Sequence, residues 1–157
     1  MSKEYIEKIA DYIVDIEKLI SEYQSIKHSL IERKRPNTIV LAQKMLIVVN
    51  KNTEFYNISS IPYTREIVKD LQQKFNFSSA TYRCLMPDTC YSWHTDIGKN
   101  CIHIPIITNE GCRFVYEDKV YYMPADGAVY HVSNDNPHSF MNAGKSPRVH
   151  ITIENFE

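Results

Sequence analysis

From residue 79 to residue 154 the chain breaks into short strand-like runs with turn residues at every break, and this constrains the fold more than anything else in it. Runs at 81–85, 92–94, 100–108, 113–116, 119–123, 128–132, 139–142 and 148–153 carry the β-branched and aromatic residues that suit a pleated surface. Between them stand Pro87-Asp88, Asn109-Glu110-Gly111, Glu117-Asp118, Asp126-Gly127 and the stretches 134–137 and 144–147, all built from residues that favour turns. Eight such runs after a first part of different texture predict a double-stranded β-helix, a jelly-roll or cupin-like barrel. The expected class is α+β, mainly β.

The first part reads as helical. Ile6, Ile9, Ile13, Ile16, Ile20 and Tyr23 recur at spacings of three and four, which draws one apolar stripe. Ser2 is the expected N-cap, Glu4 lies in the first turn, and Pro36 ends the pattern within the basic stretch 32–37. That stretch reads as a solvated helix C-terminus rather than a binding patch. Residues 45–49 read as a buried strand and residues 64–75 as a second helix, with Ile67, Val68, Leu71 and Phe75 on one face. The expected organisation is one domain over 1–157: a helical support region, 1–78, packed on the outer sheet face of a barrel core, 79–157.

Composition excludes several function classes. With 18 Lys and Arg against 19 Asp and Glu, the net charge is −1, which leaves no electrostatic footprint for nucleic acid or an anionic membrane. The longest purely apolar run, 45–49, is far too short to span a bilayer. The opening MSKEYIEKIADY lacks the apolar core of a signal peptide, so the expected address is cytoplasmic. Cys84, Cys90, Cys101 and Cys112 form no CxxC pair and are expected as reduced thiols. Nothing in the sequence chooses between monomer and dimer.

The chemistry concentrates at YSWHTDIGKNCIHIPI, residues 91–106. In an extended chain positions i and i+2 share a face, so His94 and Asp96 converge. Two histidines and a carboxylate on neighbouring strands make the facial triad of non-haem Fe(II) oxygenases. His103, His131, His138 and His150 are the candidates for the third ligand. Oxygenases of this type that use 2-oxoglutarate also need a cation for its distal carboxylate, and arginine's planar fork serves best. Arg148 follows His138 by ten residues, and a turn at Asn142-Ala143-Gly144 would fold it back beside that histidine. The expected metal ligands, and catalytic centre, are therefore His94, Asp96 and His138.

HTD at 94–96, IHIPIITNEGCRF at 102–114 and PHSFMNAGKSPRVHI at 137–151 closely resemble the aspartyl/asparaginyl β-hydroxylase family of Fe(II)/2-oxoglutarate dioxygenases. The resemblance covers roughly residues 79–154. It implies Fe(II), 2-oxoglutarate as cosubstrate and O2, with hydroxylation of an amino-acid side chain and release of succinate and CO2. The substrate would be a protein Asp or Asn residue, a peptide, or a free amino acid such as proline. It also implies Arg148 as partner of the distal 2-oxoglutarate carboxylate and His103 as a contact to the carboxylate nearer the metal. Two positions depart from the family. Cys101 stands where members often carry an arginine, and Arg83 occupies a strand position that can carry a serine touching the cosubstrate.

The remaining residues have plainer readings. His28 and His131 are expected to play no part in the site, and His150 shares a strand face with Arg148. Ile102, Ile104 and Ile106 alternate with Cys101, His103 and Pro105, so one side of that strand lines a pocket while the other packs under helices. Trp93 is expected to pack away from His94, and Tyr121, Tyr122 and Tyr130 to sit on sheet surface and rim. The competing class is a non-catalytic metal- or small-ligand-binding barrel, since fold does not fix function.

Overall fold

The computed structural model describes residues 3–33, 43–50 and 59–155. In chain order they form β1 (Ile6–Ile13), α1 (Ile16–Ile26), β2 (Ile31–Arg33), β3 (Gln43–Val49), α2 (Pro62–Phe75), β4 (Ser79–Leu85) and β5 (Thr89–Cys90). There follow β6 (Cys101–Ile107), β7 (Cys112–Tyr116), β8 (Val120–Tyr121), β9 (Ala128–Val132), β10 (His138–Asn142) and β11 (Arg148–Glu154). The strands build two antiparallel sheets, one of seven in the order β1-β9-β6-β11-β4-β3-β2 and one of four in the order β5-β10-β7-β8. They face each other as a double-stranded β-helix. No helix among the described residues is long and apolar enough to cross a membrane.

Period-two alternation decides what each face of the large sheet meets. Ile102, Ile104 and Ile106 of β6 and Val149, Ile151 and Ile153 of β11 are at most 1% exposed and pack in one cluster with Leu19 of α1 and Val68 and Leu71 of α2. The residues between them, among them Cys101, His103, His150 and Thr152, point into the barrel. Each buried isoleucine contributes roughly 1.5–3 kcal/mol. A one-residue slip would move all of them into the polar interior, so the register is firmly set. Both helices therefore lie on the outer face of the large sheet.

The expected single stripe from Ile6 to Tyr23 divides. Ile6–Ile13 is a strand, pairing Ile6 with Val132 and Lys8 with Tyr130 at the sheet edge. Sheet pairing overrides helix spacing here, and the stripe's first half no longer shares one face: Ile6 is 7% exposed, Ile9 packs against the core, and Ile13 is 80% exposed. The helix starts only at Ile16, where Asp15 caps it by accepting a hydrogen bond from the Lys18 backbone N–H. Gly127 fixes the corner between the two. Its φ is +92°, Val14 N–H donates to its carbonyl, and a Cβ there would lie 2.6 Å from the Val14 oxygen. Glu32 and Arg33 belong to β2 rather than to a helix end. Pro36 and Ser2 lie outside the described residues.

α2 matches expectation but begins at Pro62, a residue suited to the first helical position. Its own N-cap, Ile61, offers no side-chain acceptor. Glu22 of α1 supplies one, taking hydrogen bonds from Tyr63 N (2.6 Å), Thr64 N (2.8 Å) and Thr64 Oγ1 (2.7 Å). The two helices are thereby tied directly to each other as well as to the sheet.

The predicted run at 119–123 shortens to Val120–Tyr121, an edge pair on β7. The turn 143–147 does not close a hairpin. β10 lies in the small sheet and β11 in the large one, so this segment crosses the barrel mouth. The crossing is pinned where Ala143 N–H donates to Gly111 O, and a Cβ on Gly111 would sit 2.2 Å from Gly144 N. Only glycine allows the two turns to meet so closely.

Candidate active site

The run 92–94 is not a strand. His94 forms an isolated antiparallel bridge with His138, each N–H donating to the other's carbonyl at 3.0 and 2.9 Å. Directly opposed residues of an antiparallel pair point to the same side, and the two imidazole centroids are 4.4 Å apart. Asp96, two residues on, is held by its N–H to Asn134 O at 2.9 Å. Its Oδ2 reaches within 3.8 Å of His94 Nε2. One ligand atom from each of His94, Asp96 and His138 falls within 4.8 Å of the others.

The tautomers follow from the backbone. His94 Nδ1 lies 2.7 Å from Ser92 O and His138 Nδ1 lies 2.8 Å from Asn136 O. A carbonyl oxygen only accepts, so each Nδ1 carries the proton and each Nε2 presents its lone pair. Burial lowers the pKa of His138 and keeps it neutral. Two imidazole Nε2 atoms and one carboxylate, aimed at one point, suit Fe(II) and leave coordination positions open.

A cleft of about 510 Å³, part of it open to solvent, extends from this cluster into the barrel. Arg148 lies on its wall, 3% exposed, with its guanidinium 5.3 Å from the Phe140 ring centre and 5.8 Å from that of Phe114. Burial pushes its pKa down to about 10. Arg148 Nε is buried without a hydrogen-bond partner, and no carboxylate pairs with this arginine among the described residues. A buried cation left so is costly, and the cleft is shaped to bring it an anion.

The sequence brings His103 into the same cleft. Its Nδ1 meets His150 Nδ1 at 3.0 Å. Burial, reinforced by the Arg148 charge, holds both imidazoles well below their ordinary pKa. Arg83 lines the cleft too, but with an acid of its own: its guanidinium pairs with Glu154, and its Nε donates to Thr152 Oγ1 at 2.8 Å. His131 stays outside the site.

Sequence reasoning missed several wall residues. Tyr91 lies over Phe140, with ring centroids 3.9 Å apart, and its OH donates to Gln43 Oε1 at 2.6 Å. Phe114 and Phe140 stack at 5.2 Å and form the apolar floor. Glu154 also lines the cleft, and alternation along β11, which puts Arg148, His150, Thr152 and Glu154 on one face, is the signal for it. Trp93 does not pack; it is 52% exposed beside the cluster, because the segment around it is a bend rather than a sheet strand. Tyr130 is 5% exposed rather than on the rim, since it stands opposite His103 and packs in a buried cluster with Cys101 and Phe114. The four cysteines are free.

Comparison with known proteins follows the same line. The sequence model for aspartyl/asparaginyl β-hydroxylases matches residues 14–156. The chain is 29% identical over 104 residues to an L-proline cis-4-hydroxylase of Rhizobium meliloti (strain 1021), an overlap of 60% of this chain and 35% of that one. It thus spans about a third of the length of that curated relative. Among solved structures, an oxidoreductase of the 2OG-Fe(II) oxygenase family from Burkholderia pseudomallei superposes with a TM-score of 0.66 at 12% identity, covering 96% of this chain and 84% of that one. A prolyl hydroxylase from Trichoplax adhaerens, solved with a hypoxia inducible factor peptide, gives 0.66 at 14%, covering 97% and 83%. A Pseudomonas putida prolyl-4-hydroxylase gives 0.61 at 11%, covering 98% and 93%. At such identities these structures establish the fold, the double-stranded β-helix.

Proposed function

The chain belongs to the aspartyl/asparaginyl β-hydroxylase family, and from that premise we propose that it is an Fe(II)- and 2-oxoglutarate-dependent dioxygenase hydroxylating an amino-acid side chain, free or within a peptide. One observation carries the reading: a buried arginine without an acid, Arg148, shares a cleft with the convergent His94, Asp96 and His138. In this reading those three residues hold the iron. When bound, iron and 2-oxoglutarate supply activation of O2 coupled to oxidative decarboxylation, so that one oxygen atom enters succinate and the other a substrate C–H bond, with loss of CO2.

The protein's own part is positioning. Arg148 anchors the distal carboxylate by a charge-assisted fork, and His103 contacts the carboxylate nearer the metal. Phe114 and Phe140 keep the space between them dry. Asp96 fills a coordination position that a halide would need, which favours hydroxylation over halogenation. Residues 1–157 act as one unit in this reading, with the helices bracing the sheet that carries Arg148 and His103. Four free thiols suit a reducing compartment such as the cytoplasm.

The test is an anaerobic titration. A weak visible charge-transfer band should appear only when Fe(II) and 2-oxoglutarate are both present, and succinate should form on admission of O2. If neither is seen, the chain is a metal- or ligand-binding barrel without catalysis.

A further inference from the structure

A second polar side chain stands in the same row of the sheet as Arg148. Arg148 of β11 lies opposite Leu85 of β4, and Leu85 lies opposite Gln43 of β3. Directly opposed residues share a face, so these three run side by side across the barrel-facing side of the large sheet. At ~4.8 Å per strand the outer two Cα atoms are about 10 Å apart, within the joint reach of a glutamine and an arginine. Both line the one cleft, and Gln43 is only 2% exposed.

The Gln43 carboxamide is oriented. Its Oε1 accepts the Tyr91 hydroxyl proton at 2.6 Å. Tyr91 is itself seated on Phe140, the ring that the Arg148 guanidinium also faces, and is near enough to act on the Arg148 charge. With the oxygen held, the two Nε2–H donors point away from Tyr91 and meet no acceptor among the described residues. Neighbouring donors are already committed. Tyr91 gives its proton to Gln43, and Arg83, two residues along β4 from Leu85, is engaged by Glu154, Thr152 and Met45. Phe114 and Phe140 offer none.

A carboxylate accepts at about four lone-pair positions. An arginine fork satisfies two, and in a dry space the others are costly to leave bare. A neutral N–H at that point adds a donor without adding charge. A second cation there would repel the first.

Resting on the dioxygenase reading above, we propose that Gln43 is a further binding residue for the cosubstrate. Its Nε2–H donates to the distal carboxylate of 2-oxoglutarate that Arg148 anchors, and Tyr91 holds the carboxamide in the orientation this requires. The anion site thus draws on both sheets: Gln43 and Arg148 from the large one, Phe140 and the adjoining Tyr91, whose N–H bonds Phe140 O, from the small one.

The test compares two 2-oxo acids of equal chain length on Fe(II)-loaded protein without O2. 2-Oxopentanoate chelates a metal through the same two groups as 2-oxoglutarate but lacks the distal carboxylate. The charge-transfer band gives a dissociation constant for each. Gln43→Leu should weaken 2-oxoglutarate about tenfold or more, the loss for a hydrogen bond to a charged group, and leave 2-oxopentanoate within about twofold. Gln43→Glu keeps the size and the bond from Tyr91 but puts an anion where the donor was. It should weaken 2-oxoglutarate further and again spare 2-oxopentanoate. Equal loss of both acids would make Gln43 a residue that only shapes the cleft, and overturns the proposal; so does an unchanged 2-oxoglutarate affinity. One measurement needs no variant. In Zn(II)-loaded, nitrogen-15-labelled protein the Gln43 side-chain NH2 signals, identified by their nuclear Overhauser contact with Tyr91, should shift with 2-oxoglutarate and not with 2-oxopentanoate. Signals that move alike with both acids, or with neither, overturn this proposal alone. A wild-type protein that gives no band with Fe(II) and 2-oxoglutarate removes the reading beneath it.

Discussion

The Nδ1 atoms of His103 and His150 stand 3.0 Å apart, so one ring donates and the other accepts. If His103 offers a carboxylate its Nε2–H, its Nδ1 must be the acceptor and His150 Nδ1 the donor. His150 Nε2 is then a bare lone pair, and it is indeed buried without a partner. His150 thus sets the tautomer of a neighbour that faces the cleft. His150→Phe should release His103 to both tautomers and weaken 2-oxoglutarate about 2- to 12-fold, the range for a neutral hydrogen bond of about 0.5–1.5 kcal/mol. Fe(II) affinity should hold. Nitrogen-15 shifts of His103 report the tautomer directly, and an unchanged pattern would contradict the assignment.

Arg148→Lys keeps the charge and loses the fork. A hydrogen bond to a charged group contributes roughly 1.5–3 kcal/mol, so 2-oxoglutarate affinity should fall about 10- to 150-fold. Arg148→Ala should be worse, because the bound carboxylate would be left without a partner. Fe(II) affinity should change little. The 2-oxoglutarate dependence of succinate formation at saturating Fe(II) measures this, and an unchanged half-saturation value would mean another cation holds the carboxylate.

Asp96→Ala and His138→Ala each remove one of three converging ligand atoms. Iron content after dialysis against a weak chelator should drop to background in both. His131→Gln, at a histidine away from the cleft, should retain wild-type iron content.

The buried histidine pair makes stability depend on pH. Folding holds His103 and His150 well below the ordinary imidazole pKa, by burial first and by Arg148 next. In the unfolded chain both titrate near ~6.5. Below that value the unfolded state binds protons that the folded state refuses, so stability is full above about pH 6.5 and is lost as pH falls. For two groups the slope approaches about 2.7 kcal/mol per pH unit. Urea midpoints at pH 7.5 and 5.5 should differ accordingly, and by less in the His150→Phe variant.

Glu22 caps a helix other than its own, taking hydrogen bonds from both Tyr63 and Thr64. Glu22→Ala leaves those donors without their acceptor and should cost about 2–3 kcal/mol. Thermal unfolding should shift down by roughly 5–10 °C for a chain of this length. A shift under a degree would show that water replaces the carboxylate.

The barrel half of the fold is legible in the sequence because its strands are buried on both faces by different chemistry. Val149, Ile151 and Ile153 interleave with Arg148, His150, Thr152 and Glu154, and a period of two exposes both roles at once. The same alternation on β6 separates His103 from its isoleucines. The convergence of His94 and Asp96 is legible from spacing alone, although a single bridge to His138 rather than a strand produces it. The path from His138 to Arg148 is not legible. A turn that closes a hairpin and one that crosses between sheets have the same local chemistry, and the Gly111–Gly144 contact that settles it is long-range. The edge strand β1 hides for a related reason: its partner, β9, lies more than a hundred residues away, while its isoleucines happen to fall at helical spacing. Asp15, followed by Glu17, was the local sign that the helix starts later.

In the order β1-β9-β6-β11-β4-β3-β2, the last of the described strands is the one that joins the two halves of the large sheet. Ile151 reaches back to Tyr82 on one side and to Ile104 on the other, closing long loops in each direction. Such distant pairings slow folding, since loop entropy is spent before any contact rewards it. During synthesis the seam must stay open until β11 emerges, with the apolar faces of β4 and β6 uncovered and their edges available to other chains. The strand that closes the seam also carries Arg148. Closure of the barrel and arrival of the buried arginine are therefore one kinetic event, and a chain halted before it has neither a complete sheet nor the cation on its cleft wall.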